Sequence, residues 1–149
     1  MIGEVSFAYV ADGSHWLSLH ALGSVITEDD VQIHAHSCIH RGVLSDTRIA
    51  NGAIIDSHVM IGHDANIGRN TAIAAHSGVA GAAVIGENCI VGGMSGIGEG
   101  VEIANGVTVG AKSYVDRSIS ESDVTYAGSW PAEPSRRWWR RVSRLRELS

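Results

Sequence analysis

Branched aliphatic residues recur every six positions through the middle of this chain: Ile61, Ile67, Ile73, Val79, Ile85, Val91, Ile97, Ile103, Val109 and Val115. The position after each is small almost as regularly, with Gly62, Gly68, Ala74, Ala80, Gly86, Gly92, Gly98, Ala104 and Gly110. Two such columns side by side predict a parallel β-helix, in which each six-residue unit supplies one short strand and one tight corner and three units close a triangular coil. The aliphatic side chain points inward and stacks on its counterparts in the coils above and below, about 4.8 Å away. The small residue beside it leaves room at the corner, where Asn, Gly and Asp tolerate the unusual dihedrals.

The edges of the pattern predict the other elements. Ile49 and Ile55 extend the register downward, but Ile33 and Ile39 stand in a different phase because the step from Ile39 to Ile49 is ten residues. The segment from Arg41 to Thr47 is therefore an irregular coil or a short loop. Residues 1–23, with Phe7, Tyr9, Gly13 and Trp16, fit no six-residue template and are expected to form a flap or cap. The β-helix is expected over 24–120, fading near Ile119. Pro131 and Pro134 mark an extended linker over 121–134, and Ser135 is placed to N-cap a helix over 135–149.

Composition narrows the possibilities. A chain of 149 residues holds one domain, or one repeat array with an appendage. Eighteen glycines against a single phenylalanine suit a core of stacked small aliphatics. No apolar run has the length of a membrane span and no signal segment opens the sequence, and two cysteines, Cys38 and Cys89, indicate no disulfide framework; a reducing cytosol is the expected compartment. Charge is unevenly divided: fifteen acidic and five basic residues through Ser135, then six arginines and one glutamate. On a helix, Trp138, Val142 and Leu145 would make an apolar stripe flanked by arginines. Its own acidic body, an anionic membrane surface or an acidic protein would each suit it. A nucleic acid would not, because the acidic body repels a phosphate backbone.

The segments outside the repeat carry a resemblance. Arg41-Gly42-Val43-Leu44-Ser45-Asp46-Thr47, then Ile54-Ile55-Asp56, then Ile61-Gly62-His63-Asp64-Ala65-Asn66-Ile67-Gly68 resemble the bacterial UDP-3-O-acylglucosamine N-acyltransferases of lipid A synthesis. That family shows an R-G-x-L-x-D-T segment, an I-I-D, and an I-A-H-N-x-x-I-G segment around its catalytic histidine. Phe7-Ala8-Tyr9 to Trp16 resembles a family flap, and Val124, Tyr126, Gly128 and Pro131 resemble its exit from the β-helix. The resemblance implies a left-handed parallel β-helix and a homotrimer with sites between neighbouring β-helices. It also implies transfer of a 3-hydroxyacyl group from an acyl carrier protein thioester to the amine of an amino-sugar, free or UDP-linked. His63 matches the family base, a role suited to imidazole at neutral pH. Asp56 matches an aspartate that orients it, and Gly81, one coil above His63, matches a glycine whose N–H faces the reacting carbonyl. Arg117 and Tyr114 fall on the acyl/carrier-binding side, and the arginine helix (Arg136, Arg137, Arg140, Arg141, Arg144, Arg146) would receive the acidic carrier. The donor is then the carrier's phosphopantetheine thioester, or coenzyme A, with no permanently bound cofactor.

Two departures stand beside it. The family's second active-site histidine aligns with Gly100, and its N-terminal uridine-binding domain has no counterpart in this sequence. A second arrangement of histidines competes for attention. His58 and His76 are eighteen residues apart and are expected to stack, with His40 joining if the irregular segment preserves the coil. With His63 they invite comparison with the hexapeptide carbonic anhydrases and their three-histidine zinc, but the positions within the repeat differ from that family's and no metal is expected. An acetyl-CoA-dependent sugar N-acetyltransferase and a non-catalytic trimeric scaffold are the other readings the sequence leaves open.

Overall fold

Inward aliphatics at a spacing of six build three flat walls rather than one. The computed structural model describes residues 1–129 and 132–146, with side chains as far as Arg144. Its strands of two or three residues stack into parallel sheets of six, five and six strands. The first sheet runs through Ile2–Glu4, Cys38–His40, Met60–Ile61, Gly78–Val79, Gly96–Ile97 and Tyr114–Val115; the second through Val25–Thr27, Thr47–Ile49, Asn66–Ile67, Val84–Ile85 and Glu102–Ile103. The third runs through Gln32–Ile33, Ile54–Ile55, Ala72–Ile73, Ile90–Val91, Thr108–Val109 and Thr125–Tyr126. Ile61 pairs with Val79 and Ile97 with Val115, so each inward side chain sits on the next, and the columns are buried to a few per cent or less. The buried serines Ser77 and Ser95 are satisfied within the wall, their hydroxyls donating to the carbonyls of Gly92 and Gly110 in the following coil.

The corners explain the polar half of the pattern. In each coil the chain turns through residues of positive φ, and these too fall in columns: Asp64, Ala82 and Gly100 at one corner, His58, His76, Met94 and Lys112 at another, Gly52, Asn70, Asn88 and Gly106 at the third, all with φ between 53° and 70°. Asn, Asp and Gly take that conformation at least cost, although alanine, methionine and lysine hold it here as well.

The irregular segment does not break the walls. Ile33 pairs with Ile55 and Ile39 with Ile61, each across 22 residues instead of eighteen, so the phase shift is four extra residues in one corner and not a new register. Two expected boundaries move. Ile2–Glu4, expected as flap, belongs to the lowest coil beside Cys38–His40, because the Met1 and Glu4 carbonyls accept the N–H groups of Ile39 and Arg41. Thr125–Tyr126, expected as linker, continues the third sheet against Thr108–Val109. The hairpin of Tyr9–Asp12 and His15–Ser18 is the flap proper. Ser135–Arg146 is the only helix among the described residues. Pro131, the last residue of the exit motif, and the side chain of Leu145 in the expected stripe lie outside them.

Candidate active site

As far as Val115 the departures from the six-residue rule gather at one corner, between the first and second sheets. Here the lowest coil carries residues 5–24, the next carries 41–46, the third carries His63 and Asp64, and the fourth carries Gly81. The two insertions are tied together: Leu22 and Gly23 donate their N–H groups to the carbonyls of Val43 and Gly42 at 3.0 Å, and Arg41 Nε donates to the Gly23 carbonyl at 2.8 Å. Glycine is required at 23 and 42 because the Ser45 carbonyl folds directly over both; a Cβ at either position would overlap it. That is the physical content of the Arg41-Gly42 pair.

A loop of this kind leaves backbone donors without a strand partner, and Asp64 supplies the acceptor. Its carboxylate accepts from the N–H groups of Val43 (3.1 Å), Leu44 (3.1 Å) and Ser45 (2.6 Å) and from the Ser45 hydroxyl at 2.9 Å. The oxygen that meets Val43 also lies 2.7 Å from His63 Nδ1. Burial by itself would raise the carboxyl pKa, but the Ser45 and His63 hydrogen bonds outweigh it and hold the group at about 2. Asp64 is therefore a fixed anion at neutral pH, clamped to the loop on one side and fixing the Nδ1 edge of the imidazole on the other.

The other face of His63 rests on glycine. A Cβ at Gly81 would stand 2.6 Å from His63 Nε2 and 2.7 Å from Cε1, so the ring occupies the space that any larger residue would fill. The Gly81 carbonyl accepts the Gly100 N–H at 3.0 Å, while its own N–H has no acceptor among the described residues. His40 stands in the strand beneath, opposite Glu4; burial lowers its pKa, charge on His63 acts in the same direction, and Glu4 opposes both.

Within a single chain, two of the expected contacts are not made. Asp56 does not touch His63. It sits at the corner between the third and first sheets, where its carboxylate accepts from Ser57 N–H (2.7 Å) and Ala75 N–H (3.2 Å) and lies 3.5 Å from His34 Nδ1. Its pKa is lowered chiefly by the Ser57 hydrogen bond. Within the chain the partner of His63 is its sequence neighbour Asp64, which spacing alone gave no reason to prefer; the signal is an aspartate at the end of a coil directly above a loop of unpaired donors. His40 does not join the histidine stack either. The four extra residues place His36 beneath His58, and His36, His58 and His76 stack with ring centroids 4.9 Å apart. Among the described residues no three His, Cys, Asp or Glu side chains converge as metal ligands do.

Arg117 belongs to the corner column of His63 and Gly81, three coils above His63, about 14 Å along the axis at the usual strand spacing. With Tyr114 and Tyr126 it lines an open cleft of about 350 Å³ at the upper end of the β-helix. The arginine helix presents Arg136 and Arg140 beside Trp139, and Arg137, Arg140, Arg141 and Arg144 along another groove; Arg141 Nε meets Glu133 at 3.5 Å. Trp138 and Trp139 are 41% and 62% exposed, so the chain's own body does not cover them. The side chain of Arg146 is outside the described residues.

Fold and corner together define a hexapeptide-repeat β-helix. Residues 46–81 and 82–117 match the family of bacterial transferase hexapeptides. Along 99% of its length the chain is similar to the UDP-3-O-acylglucosamine N-acyltransferases of Delftia acidovorans (36% identical) and Xanthomonas euvesicatoria (41% identical). It spans 44% of each of those relatives, less than half their length. Among solved structures it resembles the UDP-N-acetylglucosamine O-acyltransferase of Moraxella catarrhalis (TM-score 0.75, 29% identity, covering 85% of this chain and 48% of that one). The acyltransferase of Francisella novicida (TM-score 0.73, 22% identity, 95% and 51%) shares the fold.

Proposed function

We propose that this chain carries the catalytic β-helix of an acyltransferase of the lipid A type, moving an acyl group from a carrier thioester to an amino-sugar. The observation that carries this reading is the 2.7 Å contact between His63 Nδ1 and an anchored Asp64, with Nε2 packed against Gly81. Asp64 holds the proton on Nδ1, which leaves Nε2 as the base. As the acceptor amine attacks the thioester carbonyl, Nε2 takes its proton; the C–N bond forms and the carbonyl oxygen becomes an oxyanion. The unaccepted Gly81 N–H is available to that oxyanion. Collapse breaks the C–S bond, and the imidazolium returns its proton to the departing thiolate. The acidic neighbour stabilises the cation between those steps.

The donor arm is assigned to the upper side, along Gly81 to Arg117 and Tyr114, with the arginine helix receiving an acidic carrier protein through charge-assisted pairs. Corner-to-corner assembly of three copies, a cytoplasmic location and the contribution of Asp56 to a neighbouring copy's site belong to the same proposal.

A hydroxyl acceptor is the second reading, favoured by Asp64 itself. The N-acyltransferase motif has asparagine after its histidine, and a hydroxyl needs more help from its base than an amine does. The likeness to a protein named as an O-acyltransferase points the same way. The test is thiol release from 3-hydroxyacyl carrier protein with UDP-3-O-acylglucosamine or UDP-N-acetylglucosamine as acceptor, for the wild type and His63→Ala. Release dependent on the amine acceptor and lost in the variant supports the first reading; dependence on the hydroxyl acceptor supports the second. No release with either overturns both.

A further inference from the structure

The C-terminal helix, Ser135–Arg146, differs in chemistry from every coil before it. Six of its twelve residues are arginine and none is acidic. At the helical repeat, Trp138, Trp139 and Val142 fall on one face, while Arg137, Arg140, Arg141 and Arg144 share a groove on another. Arg136 and Arg140 border Trp139, so the cations begin where the aromatic face ends. Glu133, just before the helix, lies 3.5 Å from Arg141 Nε and leaves the element strongly cationic. Both tryptophans are exposed, and the chain's own body does not cover them.

From this arrangement we infer that the helix lies in the surface of an anionic phospholipid bilayer, with its tryptophan face in the boundary hydrocarbon and its arginines on the lipid phosphates. An acidic protein answers the arginines, but its charge offers nothing to Trp138 and Trp139. A bilayer meets both sets at once, with phosphate around the helix and hydrocarbon beneath it. Tryptophan, which has an apolar body and one polar N–H, favours that boundary. Among the described residues no helix is long and apolar enough to cross a membrane, so the contact is with the surface. The rest of the chain confines it to the helix: fifteen acidic against five basic residues through Ser135 are repelled by a negative surface. The inference does not depend on acyl transfer; it adds the place where the chain works. Arg144, opposite Val142 on the helix, stays on the water side, where the acidic carrier of the reading above would meet it.

Co-sedimentation of the whole chain with vesicles tests this without turnover. Vesicles of phosphatidylglycerol and phosphatidylcholine in equal parts are compared with vesicles of phosphatidylcholine alone. The wild type is expected to partition about tenfold or more in favour of the anionic vesicles, and to lose most of that preference at high salt. Trp138→Ala combined with Trp139→Ala should weaken anionic binding by about tenfold, and phenylalanine at both positions should restore most of it. Both rings are exposed, and an unaltered thermal melt checks that the variants fold. Equal partition of the wild type onto the two vesicles overturns the inference. So does a doubly substituted alanine variant that binds as the wild type does, because charge alone then accounts for the contact. Tryptophans needed for binding acyl carrier protein but not vesicles assign the face to the carrier, and a smaller sedimenting species of the variant assigns it to a second copy; either result overturns the inference. Absence of acyl transfer with tryptophan-dependent vesicle binding intact sinks the enzymatic reading and leaves this one supported.

Discussion

Two corners of the same coil carry histidines, and they use them in opposite ways. At one, His36, His58 and His76 repeat in register and stack face to face 4.9 Å apart, exposed, each a copy of the one below. At the other, His63 stands alone, half-buried, with a carboxylate 2.7 Å from one nitrogen and a glycine of the next coil against the other. Repetition makes a ladder, because a β-helix places equal residues at equal positions. A site needs unequal neighbours, and here they come from two insertions confined to one edge of the prism. The repeat supplies rigidity, and the interruption supplies chemistry.

The largest expected effect separates the two corners directly. His63→Ala should lower turnover by about 10²–10⁴-fold, the usual contribution of a positioned base, with melting temperature nearly unchanged because the ring is not part of the core. Steady-state rates and a thermal melt on one preparation measure both.

Next in size is a contrast between glycines three residues apart. A Cβ at Gly81 meets the His63 ring at 2.6 Å, whereas a Cβ at Gly78 meets nothing within 4 Å. Gly81→Ala should displace the imidazole and cost on the order of 10²-fold in kcat/KM, as small misplacements do, while Gly78→Ala should leave it within twofold. Equal effects would mean that Gly81 serves the corner and not the ring.

How much of this was legible beforehand follows the same division. The walls were readable because every inward residue from Ile49 to Val115 obeys one spacing, and His63 was readable from the motif around it. The partner of His63 was not. Asp56 was matched through the Ile54-Ile55-Asp56 segment, but position 56 belongs to a different corner from position 63, and a linear pattern does not say which corner faces which. Asp64 looked like an ordinary corner residue with positive φ. Its role depends on the three N–H groups of residues 43–45, whose closeness arises only after four extra residues fold over Gly23 and Gly42. The same four residues exchanged His40 for His36 in the ladder.

Asp64 gives the third prediction, in stability. Its folded pKa of about 2 lies below the 3.8 of an unperturbed aspartate. A depressed folded pKa means that the contribution is complete above about pH 4 and is lost as the pH falls toward 2, because the unfolded chain binds the proton first. The shift corresponds to about 2 kcal/mol. Asp64→Asn should lose that increment at pH 7 and show a correspondingly shallower acid transition between pH 4 and 2. Urea unfolding at several pH values reads it. Parallel acid curves for the two proteins would show that the carboxylate is not the clamp.

The smallest effect sharpens the comparison from the other side. His58→Ala removes the middle ring of the ladder and leaves His36 and His76 separated by an empty step. If stacking of exposed rings merely follows from the fold, stability should change by no more than about 0.5 kcal/mol, the range for surface substitutions. Turnover should be unaltered, since the ladder corner shares no hydrogen bond with His63. His58 holds φ at 59°, and Met94 and Lys112 hold the same value within a degree in the same column without any stack. The backbone therefore does not depend on the imidazole, and alanine, which holds φ 56° at position 82, has a precedent for the conformation. A loss of activity on this substitution would mean that the ladder corner of one copy meets the His63 corner of another, and that repetition and chemistry are less separate in the assembled protein than in the single chain.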